Sequence, residues 1–147
     1  MALAPTESKA QPPQLAGAKR LVEFDLRIPV ANWLLSRGLS PICEVQSLGN
    51  CDLIGVAFTD EKRPKLNRLV AVELKLTDVA GVMRQCRSHH ARGVTEVWAA
   101  MPPQSARTER RFKESSYGLL RVSEGQVLIV AHAGECLLVH RRLERLP

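Results

Sequence analysis

A mixed α/β (α+β) fold, with a central β-sheet flanked by helices, is predicted by three features of this 147-residue chain. Two apolar runs, at 51–58 and 70–76, flank a charged loop containing Pro64, which is the pattern of an antiparallel hairpin. The stretch from Thr77 to Arg92 then repeats apolar residues at helical spacing and stops at Gly93. From Val94 to Met101 strand character returns, so the intervening helix crosses over to extend a mixed sheet. The length is that of one domain, and the 45% hydrophobic content excludes global disorder.

The expected order is α-β-β-β-α-β-α-β-β. Residues 1–18 are rich in Ala, Pro, Gln and Ser and are expected to be a disordered leader to a single folded domain at 19–147. Leu21 to Arg37 is helical in pattern, with Leu21, Val22, Leu26, Val30, Trp33 and Leu34 on a broad apolar stripe and Gly38 as the stop. Pro29 predicts a kink or a fresh helix start within it. Pro41 to Ser47 is a short strand that turns through Leu48-Gly49-Asn50 into the strand beginning at Cys51.

Thr77 or Asp78 caps the next helix, on which Val79, Val82, Met83, Cys86 and His90 recur on one face. Adjacent His89 and His90 point about 100° apart on a helix, so one is expected in the core and one in solvent rather than both on one ion. Trp33 and Trp98 read as core. Gln104 to Arg110 is read as a polar loop and Arg111 to Leu120 as a short helix. A final hairpin is expected from Gln126 to Ala133 and Cys136 to His140, across Gly134-Glu135.

No basic segment followed by a continuous apolar core opens the chain, and no apolar run is long enough for a bilayer. The four cysteines lack CxxC spacing, which predicts small, partly buried thiols in a reducing cytoplasm rather than a zinc site or a disulfide framework. The chain carries 21 Lys and Arg against 15 acids, a net charge of +6 that permits attraction to a polyanion without establishing it.

The chemistry centres on Val70-Ala71-Val72-Glu73-Leu74-Lys75-Leu76. Alternation places Glu73 and Lys75 on one face of a strand and Val70, Val72, Leu74 and Leu76 on the other. Charges in apolar surroundings are costly unless they are paired or hold a metal. Asp52 opens the neighbouring strand, so an Asp, a Glu and a Lys could meet around a hard divalent cation and an activated water. The competing structural readings are a partly exposed Glu73–Lys75 ion pair and an Asp52 that merely follows a turn.

Asp52, then Glu73-Leu74-Lys75 after a hairpin, in an order of helix, three strands, helix and strand, resembles the PD-(D/E)XK nuclease superfamily. Small bacterial members share segments like Glu23 to Val30, an Ile-Cys-Glu-Val strand and a Cys-Asp-Leu-Ile-Gly strand. Here Cys51 stands where the superfamily's name has Pro.

The resemblance implies a restriction-endonuclease-like fold and metal-dependent hydrolysis of DNA. It also implies Mg²⁺ or Mn²⁺ held by Asp52, Glu73 and the Leu74 backbone carbonyl, with Lys75 at the attacking water or the phosphate. Glu23 on the first helix, with Asp25 as second choice, would complete the outer shell, and Gln85 would orient the water or the lysine. Glu44 either faces this pocket or forms a salt bridge elsewhere. Arg107, Arg110, Arg111 and Lys113 form a basic stretch that either meets a nucleic acid backbone or is a solvated face. So small a nuclease would gain from dimerising to act on two strands. A catalytically silent module binding nucleic acid or a partner protein is the alternative.

Overall fold

The computed structural model describes residues 21–46 and 50–134. The expected leader at 1–18, most of the first turn and the strand proposed at Cys136 to His140 lie outside the described residues.

The chain enters through a 3₁₀ turn, Glu23–Leu26, and continues as α1, Arg27–Ser36. Pro29 is the third residue of α1. In the first turn its missing N–H has no helical acceptor to lose, so the fresh start replaces a kink. β1 (Ser40–Val45), β2 (Cys51–Phe58) and β3 (Leu66–Leu74) form an antiparallel meander. Asp78 caps α2 (Val79–Ala91) by accepting from the Gly81 N–H at 2.9 Å. Gly93 leaves the helix at φ +96°, where a side chain would be strained.

β4 (Glu96–Met101) runs parallel to β3, as a crossover requires. α3 (Ala106–Lys113) then leads to β5 (Gly118–Ser123), parallel to β4, and β6 (Gln126–Ala131) closes antiparallel on β5. The six strands lie in the order β1-β2-β3-β4-β5-β6.

Two expected elements are corrected here. The helix begins at Ala106 rather than Arg111, because Ser105 caps it through the Thr108 N–H. Among the described residues β6 forms a hairpin with β5, turning through Glu124-Gly125, where the sequence predicts a helix to Leu120. Gly118 is paired with Trp98, and a Cβ there would lie 2.1 Å from the indole, so this strand position is reserved for glycine by the ring.

Side chains alternate between two cores. Leu26, Val30 and Leu34 pack with Leu53, Val70, Val72, Leu74, Trp98 and Leu120 on one face of the sheet. Ala71, Val97, Ala99, Met101 and Leu119 pack with Val82, Met83, Cys86 and Phe112 on the other. The expected alternation along β3 therefore holds through Leu74. Trp98 is core, with Trp33 edge-on to it at 5.1 Å. Among the described residues no helix is long and apolar enough to cross a membrane.

Candidate metal centre

The β2–β3 ladder pairs Leu53 with Val72, and one further step in that register brings Asp52 opposite Glu73. There the ladder opens. The Leu74 N–H is taken by Asp52 Oδ2 at 2.8 Å, so a carboxylate stands in for a strand carbonyl. Both acids thus sit at the same end of neighbouring strands, fixed by backbone rather than by flexible stems.

Glu73 points toward α2 and is only 1% exposed. Its Oε1 lies 2.5 Å from His89 Nε2; when the carboxylate is ionised, Nε2–H must be the donor. Burial pushes the Glu73 carboxyl up from its ordinary range to about 7; the His89 hydrogen bond restrains that rise and the neighbouring Asp52 carboxyl adds to it. Glu73 Oε2 and His89 Nδ1 are buried without hydrogen-bond partners. An orphaned carboxylate oxygen beside a second acid fits the donor set of a hard divalent cation.

His89 is the residue that sequence reasoning placed wrongly. The helical stripe was phased onto His90, whereas His89 is the buried one and His90 packs half-exposed against Tyr117 at 4.8 Å between ring centroids. A histidine three residues after buried Cys86, on the helix that follows an acid-bearing strand, was the available signal. Cys51 also joins this group. Its thiol, at 0% exposure, donates to the Leu53 carbonyl at 3.1 Å, and burial, with Glu73 nearby, pushes it up to about 12.

Lys75 lies one residue beyond β3, and its ion pair is with Glu23, at 3.7 Å between Nζ and Oε1, rather than with Glu73. Glu23 thereby joins the edge of the site through the lysine. Lys75 also lines an open cleft with Asp78, Gly81, Arg84, Gln85 and Ser88. Gln85 Oε1 is buried there without a hydrogen-bond partner.

Glu44 and Asp25, both left open by the sequence, each have a partner of their own. Glu44 pairs with Arg27 at 3.1 Å, and Asp25 accepts from the Val22 N–H at 2.9 Å as a cap. Arg107, Arg110, Arg111 and Lys113 are all exposed on α3, on one helix rather than divided between a loop and a helix.

No family model matches this chain, and no curated protein matches it. Among solved structures, a protein of unknown function from Silicibacter pomeroyi is similar at a TM-score of 0.57 and 17% identity, over 86% of this chain and 84% of that one. That likeness concerns the fold: a mixed sheet flanked by helices.

Proposed function

We propose that this protein is a metal-dependent nuclease that hydrolyses phosphodiester bonds in DNA, with Asp52, Glu73 and the Leu74 carbonyl as ligands for Mg²⁺ or Mn²⁺. The observation that carries this reading is the meeting of two carboxyl groups where β2 and β3 part, with one buried oxygen unpartnered and Lys75 two residues on, lining the cleft beside α2. When bound, the ion would supply a Lewis acid and a water nucleophilic near neutral pH.

The chain's own residues divide the remaining work. Leu74 N–H holds one Asp52 oxygen, and His89 holds one Glu73 oxygen, so each carboxylate is oriented before anything binds. The Lys75 ammonium would offset charge gathering on the phosphoryl oxygens, with Glu23 keeping it extended. Gln85, lining the same cleft, would orient the water or the lysine through its unpartnered carbonyl oxygen. Arginines on α3 would meet the DNA backbone as sequence-independent cations.

The second reading is a catalytically silent module on the same fold that binds nucleic acid or a partner protein. It is favoured by the near-complete burial of Glu73 and its bond to His89, which close one side of the acid to substrate.

Plasmid and branched DNA incubated with Mg²⁺ or Mn²⁺ separates the two. The native chain should cut, and Asp52→Asn and Lys75→Ala should each lose at least about 100-fold in rate. Asparagine is chosen because its carbonyl still accepts from Leu74 N–H. Equal cutting by all three preparations would overturn the nuclease reading. DNA bound but uncut in every metal would establish the silent module.

A further inference from the structure

Behind the acid pair, on the α2 side, Cys51 Sγ, a Glu73 carboxylate oxygen and a His89 ring nitrogen all lie within 4.8 Å of one another. β2, β3 and α2 each supply one of them. None is more than 2% exposed, and their neighbours include Ile54, Val82 and Cys86. A thiol, an imidazole and a carboxyl group together in an apolar core is a costly arrangement, because each loses water and two of their polar atoms gain no partner.

The chemistry of this trio differs from that of the Asp52–Glu73 pair. Thiolate and imidazole select zinc and its tetrahedral relatives; Mg²⁺ takes oxygen. Two ligands at about 2.3 Å from an ion span at most roughly 4.6 Å, so the widest separation needs only a small closure, while the short His89–Glu73 contact must open for both to bond one ion.

We infer that Cys51, Glu73 and His89 form a second, transition-metal site of the zinc class, adjoining the hard-cation site and sharing Glu73 with it. Binding replaces the His89–Glu73 hydrogen bond by two bonds to the ion. The Cys51 thiol gives up its proton to solvent as its sulfur bonds the metal, and the His89 proton moves from Nε2 to Nδ1 as Nε2 bonds it, so one proton leaves per ion when Glu73 is already ionised, two when it is protonated, and no electron is transferred. Occupancy pulls one Glu73 oxygen toward α2 and away from Asp52, so zinc would inhibit Mg²⁺-dependent cutting. That inhibition rests on the nuclease reading; the binding does not.

Co²⁺ titrated anaerobically into the full chain, without DNA or Mg²⁺, is the test. One equivalent should give the near-ultraviolet thiolate-to-cobalt band with visible bands of a tetrahedral ion, and Zn²⁺ should abolish them. Cys51→Ser and His89→Gln should lose the thiolate band, while Cys43→Ser, which removes an exposed thiol, should keep it. Absence of the band in the native chain overturns the site, whether or not the variants fold. Loss of the band in Cys43→Ser with retention in Cys51→Ser also overturns it. A chain that shows the band but cuts no DNA keeps the zinc site and loses the nuclease; cutting without the band does the reverse.

Discussion

β3 carries a charge pair at each end, and the two are built differently. Near its start, Arg68 grips Glu96 of β4 through both Nε and Nη2, at 2.7 to 3.0 Å. Those side chains are 36% and 20% exposed, and Trp98 Nε1 adds a further donor to Glu96 at 3.0 Å. At its end, Glu73 meets His89 inside the core, by a single contact, with one acceptor and one ring nitrogen left over. The first pair satisfies its polar atoms and asks nothing more of its surroundings. The second keeps unsatisfied valence where water cannot reach, which folding alone does not reward. The pair that is incomplete as structure is the one the proposed ions would complete.

Replacing the polar partner at the buried end should expose this difference most. His89→Leu keeps volume but strands the Glu73 carboxylate, and urea unfolding above pH 7 should show a loss of about 3 kcal/mol or more. A loss no larger than that of an exposed pair would break the contrast.

The next effect is pH. Glu73 rises from an ordinary 4.5 to about 7 on folding, so the folded chain binds that proton more tightly than the unfolded one. Its contribution is complete below the unfolded value and is lost as pH rises through the folded value. Across that window the native chain should lose about 3 kcal/mol relative to Glu73→Gln, which has no proton to release, as read from urea midpoints at each pH. A parallel pH dependence in both proteins would remove Glu73 as the titrating group.

The smallest effect belongs to the other end. A double-mutant cycle with Arg68→Ala and Glu96→Ala should give a coupling of about 0.5–1 kcal/mol, reduced by added salt. A coupling as large as the His89 effect would make the two ends equivalent.

The centre of the fold was legible because its elements obey local rules. β2 and β3 announce themselves by apolar alternation, and α2 by Asp78 before it and Gly93 after it. β5 was hidden because its apolar run, Gly118-Leu119-Leu120, is short and follows closely on α3, and only its pairing to Trp98 and its neighbours makes it a strand. Asp52 and Glu73 were legible as acids in apolar runs. His89 and Cys51 were not, because a helical stripe does not fix which of two adjacent histidines turns inward, and a buried cysteine looks the same whether or not it has a neighbour to share an ion with. Lys75 was misdirected since face alternation ceases where the strand does.

The bond from Leu74 N–H to Asp52 Oδ2 gives position 52 an architectural duty independent of any reaction. On the proposed nuclease reading, a relative that did not cut would still be under pressure to keep an oxygen there, to close off the last amide of β3. Finding Asp or Asn at this site in a related chain is therefore weak testimony to activity. The side chains of Lys75 and Gln85, which hold up no strand, are where that proposal would be tested by descent.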